Sequence, residues 1–355
     1  MEPITHFLAG ACIGRAGFNR KTAYATLAAT LAAEAADLDV LWGFRGPVEE
    51  LKHHRGITHT LIFAPVVAAV IVGAIALFNV VRKRKPAAQP VQWTWLYATA
   101  LIAALSHILL DWTNNYGVRP FFPFNPRWYS LDIVFIAEPV LWALFAIALI
   151  LPAIFGAADR EIGARKISFR GRGWAIFALC GMLVLWGWRW FEQSVARTLL
   201  EQTQVTSAPV LRIGLQPYPI NPWRWHAILE TQNYFLTSEV NTLTNAIRTD
   251  SEIIYKPEST PAIEAAKRTR LGQVFLDWSS WPLVRDLGPS PVPGIDPPQL
   301  PPGRTWTTVE FTDLRFGYGF LPGQRAHPPA GLSGWVYIVD GREEAAEGMG
   351  SKEQK

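Results

Sequence analysis

The chain has 355 residues, 50% of them hydrophobic and 17% charged, against roughly 25% charged in ordinary soluble domains. A cut after Phe191 puts 18 Lys/Arg and 11 Asp/Glu on the N-terminal side and 15 and 18 on the C-terminal side, so the net charge of +4 averages two unlike halves. Collagen-like, disordered and disulfide-scaffold classes are excluded. No nucleic-acid partner is expected either, because the N-terminal basic residues flank apolar runs and form no stripe interleaved with aromatics.

The start, MEPITHFLAGACIGRAG, carries Glu2 and His6 where a signal peptide needs a basic region and an apolar core, so no cleavable signal is expected. Two short segments follow, 4–18 and 22–40, rich in Ala and Gly and interrupted by Arg15 and Glu34. They fit tilted spans, a re-entrant hairpin or core helices shielded by others. Residues 56–81 and 86–110 are charge-free runs of 26 and 25 residues, long enough to cross about 30 Å of hydrocarbon as helices. Residues 133–155 contain only Glu138, and the Trp-rich run 173–191 ends near Arg189. Cys12 and Cys180 lie in apolar segments and support neither a disulfide nor a metal site.

Beyond Phe191 a short polar helix is expected over 192–204, then strands at 210–215, 224–231, 233–240, 305–319 and 334–340, rich in β-branched and aromatic residues. The Pro-rich stretch 282–302 reads as a surface loop and 345–355 as a disordered tail. The expected fold is an α-helical integral membrane bundle of four clear and two short membrane segments, residues 1–191, with a C-terminal β-rich soluble domain, residues 192–344. With all six segments crossing, the turns at 18–21, 82–92 and 156–172 hold 11 Lys/Arg and the opposite loops, 41–56 and 113–132, hold 5. The richer side is cytoplasmic by the positive-inside rule. The C-terminal domain is then extracytoplasmic and the bilayer is the first partner.

That topology gathers ionisable residues at the outer ends of the segments: His6, Glu34, Asp37, Asp39, His53, His54, His59, His107, Asp111, Asp132 and Glu138. His107 and Asp111 stand at i and i+4, on one helix face, as two ligands of one ion require. Asp37 and Asp39 cannot share a helix face and fit a helix end. Imidazole and carboxylate together suit Zn²⁺, with Mn²⁺ or Fe²⁺ as alternatives, and a mixed set of this size serves one- or two-metal hydrolytic sites. Each residue also has a structural role open to it. His6 can cap a helix, Asp37 and Asp39 can be solvated at the membrane surface, His107 and Asp111 can glue helices, and Glu34 and Glu50 fit solvated positions. The coincidence at one side of the membrane favours function, since intramembrane charges are costly. His226 and His327, in the strand-rich part, read as structural.

THFLAG (5–10), AADLD (35–39), HHRGITHT (53–60), SHILLDWTNNYGVRPFFPF (106–124) and WYSLDIVFIAEP (128–139) resemble the YdjM-like family of bacterial inner-membrane proteins, described as membrane-bound metal-dependent hydrolases. The resemblance covers about the first 190 residues. It implies His6, Asp37, Asp39, His54, His59, His107 and Asp111 as metal ligands, with Arg55, Thr58, Asn114 and Asp132 nearby. Thr60 stands where the family has Ser, keeping the hydroxyl, and Glu138 where Asp is common. The expected activity is hydrolysis of an ester or phosphodiester in a lipid or lipid-linked substrate at the outer interface of a bacterial inner membrane, with Asp39 or Asp132 taking the proton and Arg55 stabilising negative charge. The alternative is a metal-handling transporter using the same cluster, which requires a polar path to the cytoplasmic side.

Overall fold

The computed structural model describes residues 1–81, 89–163, 171–248, 252–318 and 332–350. The basic turns at 82–85 and 165–170, and His327, lie outside the described residues. The chain forms two compact units: Met1–Asp39 with Arg55–Val195 and Pro217–Trp223, and Val40–His54 with Ala196–Gln216 and Arg224–Lys355.

The first unit begins with two short helices, α1 (Pro3–Arg15) and α2 (Ala25–Glu34). Thirteen and ten residues make helices of about 20 and 15 Å, so neither crosses the hydrocarbon alone. They pack as a close pair because Gly10 and Gly14, one turn apart, face the backbone of α2. A Cβ on Gly10 would stand 2.7 Å from the Ala29 carbonyl oxygen, and one on Gly14 would stand 2.5 Å from the Cα of Thr26. Small residues at this spacing let helices approach in lipid, where packing replaces the hydrophobic drive.

Four helices are long and apolar enough to span a membrane: α4 (Ala64–Val81), α5 (Trp93–Thr113), α6 (Pro139–Glu161) and α7 (Arg172–Gln202). Ala28, Ala29, Ala32 and Ala33 of α2 meet Leu96, Ala100 and Ala103 of α5 in one core, and Leu141, Phe145 and Ala148 of α6 meet Ala175, Ala178 and Met182 of α7 in another. The expected polar helix at 192–204 is the continuation of α7, one helix of 31 residues. Glu138 and Arg189 are both fully buried and paired at 2.9 Å. They also grip the segment Pro217–Trp223: Arg189 donates to the carbonyls of Tyr218 (2.9 Å) and Asn221 (3.2 Å), and the Ile220 amide donates to Glu138 (2.9 Å). A buried charge pair needs such extra bonds to offset its desolvation.

The second unit holds two antiparallel sheets. One has the order β1 (Arg212–Pro217), β2 (Arg224–Glu230), β3 (Tyr234–Asn241) and β4 (Ala246–Ile247), with β5 (Glu252–Tyr255) also on β3; the other runs β6 (Pro282–Asp286), β7 (Trp306–Asp313), β8 (Ser333–Val339), β9 (Glu343–Met349). The five expected strand segments correspond to β1, β2, β3, β7 and β8. Two expectations fail locally. Pro282 opens β6, an edge strand in which the missing N–H costs no ladder bond, and residues 345–349 of the expected disordered tail belong to β9, paired with β8, while 351–355 lie outside the described residues. Two short amphipathic helices between the sheets, α8 (Pro261–Arg268) and α9 (Arg270–Trp278), escaped the sequence reading. Their capping threonines Thr260 and Thr269 accept from Ile263 and Gly272 amides, a start signal hidden inside a loop-like stretch. This unit also contains α3 (Pro47–His53): Glu49 pairs with Arg270, Leu51 is buried, and His53 stacks on Trp42 at 4.0 Å.

Candidate metal centre

The centre lies where α1 begins, where α2 gives way to a 3₁₀ run (Ala35–Arg45), at the 3₁₀ turn Ile57–His59, and at the last two turns of α5. Asp37, His59, His107 and Asp111 are buried, and one donor atom from each lies within 4.8 Å of the others. His59 Nε2 stands 3.2 Å from Asp37 Oδ1 and 3.4 Å from Asp111 Oδ2; His107 Nε2 stands 3.3 Å from Asp111 Oδ2 and 3.6 Å from Asp37 Oδ1. His107 and Asp111 face one way because they are one helical turn apart.

The other ring nitrogens are set by their neighbours. His107 Nδ1 lies 2.6 Å from the Ala33 carbonyl oxygen, which can only accept, so Nδ1 carries the proton and Nε2 presents a lone pair in the neutral ring. His59 Nδ1 lies 3.1 Å from Asp39 Oδ2 and 3.0 Å from the Thr58 hydroxyl. Asp39 Oδ2 in turn accepts from the Arg55 amide and the Thr58 hydroxyl, both at 2.9 Å. Carboxylate and carbonyl partners behind the imidazoles are the usual outer shell of a metal site.

His6 sits against the group, its ring stacked on His107 at 3.8 Å and its Nε2 3.4 Å from Asp111 Oδ1. The Met1 amine, which sequence reasoning missed, contacts the same Asp111 oxygen and lies 3.0 Å from His6 Nε2. Arg55 is 2% exposed with φ +55°. Its guanidinium meets Asp111 Oδ1 (2.9 Å), Asn114 Oδ1 (3.3 Å) and the Gly117 carbonyl (2.8 Å) and lies over the Tyr116 ring. Asp132 is half-buried with φ +53° beside the end of α5, where Ile133 donates to the Thr113 carbonyl, and it is outside the donor group. His54 closes α3 in the second unit. The Thr60 hydroxyl donates to the Ile57 carbonyl and accepts from Phe63, just before α4 begins. In the second unit His226 hydrogen-bonds the Leu314 carbonyl at 3.1 Å, as a structural histidine would.

The donors fit a cation. Asp37 Oδ2, His107 Nε2 and Asp111 Oδ2 are buried without a hydrogen-bond partner, whereas buried polar atoms are nearly always paired. A divalent ion would satisfy all three, and two imidazole nitrogens with two carboxylate oxygens suit Zn²⁺, Mn²⁺ or Fe²⁺.

No solved structure matches this chain. A relative from Bacillus subtilis (strain 168), named only as the uncharacterized protein YfhP, is 27% identical over 151 residues, covering 40% of this chain and 43% of its own length. The chain therefore matches less than half of that relative. The profile of the YdjM inner membrane protein family matches residues 1–196, which takes in α4, α5 and α6, most of α7 (Arg172–Gln202) and every residue of the buried donor group. The chain is a membrane protein and belongs to the YdjM inner membrane protein family.

Proposed function

We propose that this protein is a membrane-bound metal-dependent hydrolase. The observation that carries the reading is the buried group of Asp37, His59, His107 and Asp111, with one donor atom from each within 4.8 Å of the others. Ionisable groups at membrane depth are costly and default to function. Bound there, a divalent ion supplies Lewis acidity to polarise a scissile ester or phosphodiester and to activate water near neutral pH.

The chain's own residues hold and orient. His107 presents Nε2 because Ala33 holds its other nitrogen, and Asp39 aims His59 in the same way. Arg55 has both Nη atoms engaged, so it acts on developing negative charge through its field and keeps Asp111 turned toward the histidines. Asp132, outside the donor group, is the candidate proton acceptor. The substrate class in this reading is a lipid or lipid-linked ester or phosphodiester in the outer leaflet, and the C-terminal unit is extracytoplasmic, as the Lys/Arg bias of the loops favours.

Metal analysis of the full chain purified in detergent tests the reading. Wild type is expected to carry stoichiometric Zn²⁺, Mn²⁺ or Fe²⁺, and His59→Ala and Asp111→Ala to lose it. A metal-free wild type, or variants with unchanged metal, would overturn the assignment. Headgroup release from lipid vesicles tests the chemistry, and ion flux in proteoliposomes without release would replace hydrolysis with transport.

A further inference from the structure

Immediately after the site residues Asn114 and Gly117, Val118 and Tyr129 pair as an antiparallel bridge through two 2.9 Å hydrogen bonds and enclose the loop RPFFPFNPRW, residues 119–128. The metal centre gives this loop no role. Its base is an aromatic cluster in which Trp112, Phe121 and Tyr129 meet at centroid distances of 5.4 to 5.9 Å. Several of its polar groups turn inward. Phe122 and Asn125 amides donate to the Arg119 and Phe121 carbonyls, the Arg127 amide to the Asn125 side chain, and the Asn125 side chain to the Tyr129 hydroxyl. Three prolines bring no N–H at all. Outward the loop shows Phe124, 82% exposed, and the exposed Arg127, whose guanidinium lies over Tyr129 at 5.6 Å.

The loop belongs to the boundary end of the spans. It starts six residues after α5 ends at Thr113, and the Leu61 amide donates to the Pro120 carbonyl at 3.0 Å, three residues before α4 begins. A backbone with three prolines and three amides bonded within the loop has fewer donors to desolvate in the headgroup region, and an aromatic tip beside an arginine matches the apolar edge and phosphate layer found there. The bilayer already faces α4, so the surface is continuous with it.

We propose that loop 119–128 is an interfacial anchor, with Phe124 inserted into the bilayer and Arg127 binding the phosphate of a membrane lipid next to the metal centre. The anchor goes beyond the hydrolase reading and does not depend on it. A photoreactive p-benzoylphenylalanine, close in shape to the native ring, is incorporated at position 124 of the full chain in vesicles of phosphatidylcholine and phosphatidylglycerol. Irradiation is expected to add the mass of one phospholipid, and Arg127→Ala to lower that yield about fivefold, the effect of one surface cation on an anionic lipid. A chain-to-chain adduct would assign the tip to a second copy and overturn the anchor, as would cross-linking within the chain or to neither. Lipid adducts whose yield ignores Arg127→Ala would overturn the phosphate contact. As a second readout, a fluorophore at Phe124→Cys in a Cys180→Ser background is expected to be quenched by shallow spin-labelled lipid more than by aqueous iodide; the reverse order also overturns insertion.

Discussion

Asp39 and Asp111 both lie against the His59 ring, and their partners differ. Asp111 offers Oδ2 to His59 and His107 while Oδ1 is held by Arg55; Asp39 spends Oδ2 on the Arg55 amide, Thr58 and the far nitrogen of His59. Asp39→Asn is therefore expected to weaken metal affinity by 10- to 100-fold, in the manner of outer-shell partners, with stoichiometry recovered at higher metal concentration. Competition with a chelator measures this. Complete loss of binding, as in Asp111→Ala, would make Asp39 a ligand instead. At this scale the sequence was legible where spacing speaks: the i, i+4 pair His107/Asp111 and the helix-end position of Asp37 and Asp39 needed no coordinates. Which ring nitrogen of His59 faces Asp39, and the presence of the Met1 amine beside Asp111, are contacts across 20 and 110 positions of chain, and no local pattern encodes them.

Among the elements, the α1–α2 pair positions the site, because His6 begins one helix and Asp37 follows the other. Its closeness rests on Gly10 and Gly14. Gly10→Val would drive a side chain into the Ala29 carbonyl and the Ala33 Cβ, 2.7 and 2.8 Å from its Cβ, at an overpacking cost of about 1–3 kcal/mol. Since Ala33 also holds His107, the variant is expected to lower both the thermal midpoint in detergent and the metal content. Gly73→Ala in α4, with nothing within 4 Å of the added Cβ, should change neither. The four spanning helices were legible because charge-free runs of this length have few other outcomes. The pairing of Glu138 with Arg189 was not: each reads as a lone charge near a span end, and only the packing of α6 against α7 brings them together.

Across the whole molecule two units depend on different solvents, one on lipid and one on water. The second unit carries its own buried charge pair, Asp313 with Arg315 at 2.9 Å, and Asp313 also accepts from the Ser279 hydroxyl and the Ser280 amide. Burial pushes the Asp313 carboxyl up, but the Arg315 charge and these hydrogen bonds outweigh it and hold the carboxyl below its ordinary value of 3.8. A carboxylate lowered in the folded state stabilises fully above its unfolded pKa, and that contribution is lost as pH falls through the folded one. Hydrogen exchange of the full chain is thus expected to show β6 and β7 losing protection in acid. Asp313→Asn should remove about 3 kcal/mol at neutral pH by leaving Arg315 buried without its counter-charge, and the remaining acid dependence should flatten. Unchanged protection in the variant would show that the pair contributes nothing net.

Composition and periodicity alone settled that this chain has a membrane half and a strand-rich half, and that histidine and aspartate gather at one end of the membrane segments. Those properties follow from local cost: apolar length, alternation and the expense of charge in hydrocarbon act on every residue where it stands. Tertiary structure decided which donors meet, that Asp39 stands behind His59, that Arg189 finds Glu138, and that residues 343–349 complete a sheet. These depend on how far-separated segments pack, and a buried polar atom finds its partner only once the fold has closed around it.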